Sequence, residues 1–358
     1  MLSRLASILA ATIFLIGSTQ AAVILQYHNI SDSGPDSTRI DVKLFTQHMT
    51  LINELNFAVW PLPKLITALN KKQSIPDKVV VITFDDAYSS IYHNALPVLK
   101  KYQWPFTVFV ATDPINKGIR PFMSWEQIKH LSNNKATIAN HTQTHTHLVR
   151  RNSDESKSQW LQRITSELLE AEKQIADKVG YSVKLLAYPY GEYNKEIQEL
   201  VSELDFSAFT QQSGAVNSDY ELTAIPRFPM NNIYGELEQF KTKLKSLPLA
   251  VKRVIPSAHV VESDSLLKDG LVIEFLPVNA NMQQLNCYLS GHGKVPLTIS
   301  SLGTITRVQT ASLPALSPGR SRINCTVASK HPEFQGRFHW YSHYWMRKQH
   351  DGEWYYER

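Results

Sequence analysis

The sequence predicts an α/β chain: a barrel of seven or eight β/α steps followed by a smaller all-β, sandwich-like domain. Three observations carry this. From residue 23 to about residue 245, short apolar runs rich in β-branched residues alternate with segments whose apolar residues recur at helical spacing. Several runs stop at polar residues, most sharply Val79-Val80-Val81-Ile82-Thr83-Phe84 at Asp85-Asp86. Beyond about Val251 the helical period disappears, and strand-like runs are separated by turn residues. Repeated β-then-α units with short connections give a parallel sheet buried on both faces, and seven or eight such units are enough to close a barrel.

Residues 1–21 read as a signal peptide. Arg4 precedes an apolar run over residues 5–16, and small residues lead to cleavage after Ala21. The run is shorter than the roughly twenty residues a membrane span needs, and no second apolar span follows. Export to the periplasm or the extracellular space follows, with no transmembrane span after cleavage. A formal charge of +5 on 358 residues, without a basic run or a stripe of Arg and aromatics, excludes nucleic acid as partner.

The barrel domain is expected over residues 22–248. Its first strand ends at Tyr27-His28, and Val42, Phe45, Met49 and Ile52 then fall at helical spacing. A short strand at 57–60, a helix at 62–69 and the Val79 strand follow. Residues 91–102 are helical with Pro97 as a kink, 106–110 a strand, and Ser124 caps the next helix. The strand before His141 leads to a long polar helix over about 156–179. A strand at 185–187, a helix at 196–204 and strands at 206–209 and 224–228 complete the barrel.

The all-β accessory domain, residues 249–358, carries strands near 271–275, 285–289, 295–299, 323–327 and 338–346. Asp351-Gly352 is read as a hairpin turn before a strand at 354–356. In an oxidising compartment Cys287 and Cys325, the chain's two cysteines, can pair; the alternative is two buried thiols. Trp340, Tyr344, Trp345 and Trp354 suit either the sandwich core or stacking on sugar rings.

Barrel enzymes do their chemistry at strand C-terminal ends, where His28, Asp85, Asp86, His141, His145, Tyr190 and Arg227 all fall. Adjacent carboxylates repel in water-poor surroundings unless a cation sits beside them. Asp86, His141 and His145 supply a three-ligand open site for Zn²⁺ or another divalent transition metal, with Asp85 placed to take a proton from activated water. His147 stands outside this set, and His48, His93 and His130 lie on helices as solvated or satisfied side chains.

Thr83-Phe84-Asp85-Asp86 and His141-Thr142-x-x-His145 resemble the first two motifs of the polysaccharide deacetylase family, carbohydrate esterase family four. The resemblance implies a distorted seven- or eight-stranded β/α barrel, Asp85 as base, and Asp86, His141 and His145 as metal ligands. The third family motif reads Arg-x-Pro-Tyr-Gly, whereas this chain has Ala187-Tyr188-Pro189-Tyr190-Gly191. Tyr190 can still offer its backbone N–H to an oxyanion. Arg227 is the candidate for the missing guanidinium, or else an Arg with an acidic partner elsewhere. The late Leu-x-Ile-His motif is absent after the barrel, while Leu25-Gln26-Tyr27-His28 resembles it at the start of the chain. That order is similar to the permuted deacetylases of poly-N-acetylglucosamine, and it implies His28 as general acid. The fourth motif has no counterpart; Thr210-Gln211-Gln212-Ser213-Gly214 stands there instead.

The expected function is therefore metal-dependent N-deacetylation of an N-acetylglucosamine polysaccharide. The alternatives are a catalytically impaired glycan-binding scaffold and a metal-dependent O-acetyl esterase using the same residues.

Overall fold

The computed structural model describes residues 21–262 and 267–356. The signal reading, apart from Ala21, lies outside the described residues. Among them no helix is long and apolar enough to cross a membrane.

Eight described strands form one parallel sheet. Its order is Phe228–Pro229, Ala22–Tyr27, Val79–Phe84, Phe106–Val110, Ala136–Asn140, Leu185–Ala187 and Ser207–Phe209, with Ala58–Val59 pairing at the base of Val79–Phe84. Every residue of Ala22–Tyr27, Val79–Phe84 and Phe106–Val110 is buried, as expected of strands covered on both faces. Val42–Glu54 turns Phe45, Met49 and Ile52 onto the sheet, and Lys157–Val179 does the same with Trp160, Ile164, Leu168 and Ile175. Ser124 and Ser156 start their helices with reciprocal capping boxes to Gln127 and Gln159.

The barrel closes irregularly. Ile225 bridges Phe209, and only three residues later Phe228 pairs with Leu25. The strand expected at 224–228 is thus reduced to one bridge and the two-residue ladder Phe228–Pro229. Pro226 and Pro229 have no N–H to donate, which accounts for the broken ladder. Residues 91–102 are helical as expected, but not uniformly: Ile91–Ala95 is a π-helical turn that runs directly into Leu96–Tyr102, with Pro97 just after the junction.

The C-terminal region consists mostly of strands in two sheets. One runs Leu247–Pro248, Phe338–Arg347, Gly319–Ala328, Asn286–Leu289 and Gly293–Val295, with Val260–Val261 beside Phe338–Arg347. The other runs Val251–Ile255, Val272–Phe275, Ile305–Thr310 and Leu297–Leu302. Ile273, Phe275 and Val308 meet Leu289, Ile323, Val327 and Trp345 in a core of their own. Cys287 and Cys325 are direct cross-strand partners joined by a disulfide. A bridge closing a loop of this length stabilises by about 4 kcal/mol on the chain-entropy estimate. Residues 354–356 form no strand. Gly352 does turn the chain, at φ 85°, but Tyr355 then leaves the sheet and donates its hydroxyl to Glu192 of the barrel.

The two halves share packing. Trp340 meets Phe228 edge-on at 5.3 Å, and the Tyr344 hydroxyl donates to Tyr193 O (2.6 Å) while accepting from Tyr193 N (2.8 Å). Trp345 and Tyr344 are buried, so these aromatics are packing residues.

His48 and His259 give the fold a pH dependence. Burial lowers the pKa of each from 6.5 to about 4. His48 lies between the Tyr27 hydroxyl (3.0 Å) and Gly235 O (2.6 Å), stacked on Phe240 at 3.8 Å. The unfolded chain binds protons more readily than the fold between pH 6.5 and 4. The stabilisation is therefore complete above about pH 6.5 and is lost toward pH 4, by at most about 3 kcal/mol per histidine. Thermal unfolding should show Tm falling through this window, with a shallower fall in His48→Gln; a fall of the same slope in that variant counts against the assignment.

Candidate functional site

Each strand end delivers one part of the site. Asp85 and Asp86 follow Val79–Phe84, His141 follows Ala136–Asn140, His28 follows Ala22–Tyr27, and Tyr190 comes just after Leu185–Ala187. The turns that aim them are conformationally costly. Asp86, Ala87, Thr142, His145 and Tyr190 hold left-handed backbone with φ of 67°, 56°, 68°, 60° and 60°. Each position costs about 1–2 kcal/mol for a residue with a Cβ, and such strain gathers at functional sites.

Surrounding contacts hold these turns. The Asn140 side chain accepts from Thr142 N (2.8 Å) and donates to Leu168 O and Glu172, both at 2.9 Å. Glu167, on the same long helix, accepts from Thr144 N and its hydroxyl at 2.9 and 2.8 Å. The loop carrying both histidines is thereby fixed to Lys157–Val179.

The side chains of Asp86, His141 and His145 converge. Asp86 Oδ1 lies 3.3 Å from His141 Nε2 and 3.2 Å from His145 Nε2, and the three donor atoms fall within 4.8 Å of one another. His141 Nδ1 is 2.8 Å from Ala187 O, which as acceptor fixes the proton on Nδ1 and leaves Nε2 as a ligand atom. Two imidazole nitrogens and one carboxylate oxygen around one point fit a first-row divalent cation, and they can hold a metal ion. Burial alone pushes the Asp86 carboxyl up, but hydrogen bonds from His141 and His145 bring it well below the carboxylate range. His141 is lowered by burial and raised by Asp86, with a net rise.

Asp85 has a different environment. It is fully buried, and Arg227, also fully buried, donates to it from both ends of the guanidinium, at 2.7 Å to Oδ1 and 2.8 Å to Oδ2. Arg227 also donates to Thr210 O at 3.0 Å and to the Thr83 hydroxyl at 3.3 Å. Just before a strand paired level with Leu25, it starts near the barrel's middle and reaches up to the carboxylate. Thr210 belongs to the segment Thr210-Gln211-Gln212-Ser213-Gly214, which stands in the place of the fourth family motif. Burial raises the Asp85 pKa, but Arg227, His141 and His28 overcome this and leave it lowered. His28 Nε2 lies 3.9 Å from Asp85 Oδ2, its pKa lowered by burial and partly restored by the two carboxylates.

Sequence reasoning missed four contributors. Gln26 donates to Asp85 Oδ2 at 2.6 Å; its signal is an amide inside an otherwise apolar strand. Thr83 relays between Leu25 O and Arg227. Glu192, fully buried, takes His147 Nδ1 at 2.8 Å, and that ring stacks on Tyr190 at 3.8 Å. Arg320, from the β region, donates to Tyr190 O at 3.0 Å. His48 is buried and satisfied, whereas His93 and His130 are exposed and outside the site.

Residues 72–209 match the family model described as polysaccharide deacetylase, a span that holds Asp85, Asp86, His141, His145 and Tyr190 but neither His28 nor Arg227. The Bacillus subtilis (strain 168) protein YxkH, named as a polysaccharide deacetylase, is 28% identical over 205 residues, covering 57% of this chain and 69% of that protein. The poly-beta-1,6-N-acetyl-D-glucosamine N-deacetylase of Staphylococcus aureus (strain MSSA476) is 32% identical over 164 residues, covering 44% of this chain. The match spans only 56% of that relative's length. The solved structure of Streptococcus pyogenes deacetylase PplD in complex with acetate superposes with a TM-score of 0.55 at 22% identity, covering 61% of this chain and 95% of that one, and so shares the fold. The matched segment lies at the heart of the distorted barrel, so residues 72–209 of the chain are similar to the polysaccharide deacetylase family in sequence and share its fold.

Proposed function

We propose that this chain is an exported, metal-dependent N-deacetylase that removes acetyl groups from an N-acetylglucosamine polysaccharide, with Zn²⁺ as the cation. The observation that carries the reading is the division of the adjacent carboxylates: Asp86 faces two imidazoles while Asp85 is clamped by Arg227. Held by Asp86, His141 and His145, such an ion supplies Lewis acidity to an acetyl carbonyl and acidifies water.

The remaining steps belong to side chains. Asp85 Oδ1 accepts one hydrogen bond, from Arg227, and so keeps a lone pair for the proton of the attacking water. Arg227 holds that carboxylate ionised and fixes its plane. The Tyr190 N–H is the donor assigned to the oxyanion of the tetrahedral intermediate. His28, across the site at 3.9 Å from Asp85, delivers a proton to the departing sugar nitrogen, and acetate and a free amine result. His28→Gln should lower kcat at least about a hundredfold while leaving bound metal unchanged.

The test is acetate release from β-1,6- and β-1,4-linked N-acetylglucosamine oligomers, peptidoglycan and an O-acetylated glycan. Release from an N-acetylated polymer supports the reading. Turnover of O-acetyl groups alone assigns an esterase, and binding without turnover assigns a scaffold.

A further inference from the structure

We propose that the C-terminal β region forms a cationic wall of the catalytic cleft, and that this wall selects glycans bearing a carboxylate on the reacting acetamido sugar or its neighbour. The inference rests on the deacetylase reading of the site and adds the class of polymer.

A cavity of about 230 Å³ opens beside His28, walled by Tyr190 and Tyr234 from the barrel and by Arg320, Arg322 and Tyr344 from Gly319–Ala328 and Phe338–Arg347. No Asp or Glu is among its lining residues. Residues two apart on a strand share a face, so Arg320 and Arg322 are presented together. Arg320 lies over the Tyr190 ring at 5.5 Å and has Glu192 3.8 Å away. Arg322 lies over the Tyr234 ring at 5.8 Å, and among the described residues no carboxylate forms an ion pair with it. Lys243, buried outside the cavity lining, donates to Tyr234 O and adds positive charge beside that ring. Acids near the rim are engaged elsewhere: Asp36 and Asp41 pair with Arg39, and Glu192 accepts from Tyr355 and pairs with His147.

A half-buried guanidinium without a counter-charge is costly unless a ligand supplies one. Its planar fork matches a carboxylate with two parallel hydrogen bonds. A neutral N-acetylglucosamine polymer offers no such group, and each deacetylation creates an ammonium that this wall repels. A polymer in which acidic and N-acetylated sugars adjoin meets both conditions. His28 and Arg322 line the same cavity, so the proposal places the carboxylate on the reacting sugar or its neighbour.

The experiment compares an oligomer of alternating glucuronic acid and N-acetylglucosamine with a neutral N-acetylglucosamine oligomer of equal length. Binding by calorimetry and kcat/KM for acetate release are both measured on wild type, Arg322→Met and Arg322→Lys. Wild type should prefer the acidic oligomer about tenfold or more, Arg322→Met should lose about tenfold of that ratio, and Arg322→Lys should retain part of it. The preference should shrink with added salt. An unchanged ratio in Arg322→Met, or a wild-type preference for the neutral oligomer, overturns the proposal. Arg322-dependent inhibition by free acetate, equal on both oligomers, assigns the guanidinium to the released product and also overturns it. Acid-selective, Arg322-dependent binding without acetate release from either oligomer sustains the wall and removes the deacetylase reading instead.

Discussion

His141→Ala and Asp86→Ala are expected to abolish acetate release, by at least about a thousandfold, and to leave the purified protein without its bound metal. Both imidazole Nε2 atoms point at Asp86 Oδ1, so removing either kind of ligand leaves two donors where an open site needs three. The two variants separate chemistry from folding. Beyond Asp86, the His141 side chain bonds only to Ala187 O among the described residues, while its backbone N–H, which alanine keeps, donates to Val110 O. Asp86 holds φ 67°, a left-handed conformation that aspartate tolerates better than alanine, so Asp86→Ala also removes a part of that local accommodation. A full rate in His141→Ala, with metal content unchanged, removes the three-ligand site.

Arg227→Met has the largest expected effect on the fold itself. It leaves the Asp85 carboxylate fully buried with only Gln26 donating within 3 Å, and breaking a buried pair in this way costs about 3–5 kcal/mol. Activity should fall together with stability, because the base loses the fork that fixes its plane. Arg227→Lys should recover little, since one ammonium cannot span Oδ1, Oδ2 and Thr210 O. The double variant Arg227→Met, Asp85→Asn carries no stranded charge and should regain most of the stability while remaining inactive. Denaturant unfolding of the two single variants and the double variant, alongside acetate release, reads both effects. Equal loss of stability in single and double variants contradicts the pairing as the source of the cost.

Much of this was legible in the chain because strand ends announce themselves. The buried run before Asp85-Asp86 and the spacing of His141 and His145 carry their chemistry locally, and parallel β/α order brings such ends to one rim. Arg227 was harder. It stands 142 positions from Asp85, and its reach depends on a strand shortened by Pro226 and Pro229, which no local pattern reveals. Gln26, Thr83 and Glu192 act through partners far away in sequence, so composition alone gives them no role. The β region was visible as strands, but Arg320 and Arg322 look like ordinary outward-facing charges until the region packs on the barrel. Tyr355 likewise leaves the hairpin expected of it because Glu192 accepts its hydroxyl inside the barrel wall.

Metal-dependent hydrolysis of an acetamide is tested most directly by one stoichiometric measurement: acetate and free amine released from an N-acetylglucosamine oligomer by the purified protein, before chelation, after chelation and after Zn²⁺ is restored. The site described here predicts equal amounts of acetate and amine, loss of both on chelation, and recovery of both with the ion. Release that persists at full rate in chelator, or acetate without a matching amine, contradicts it.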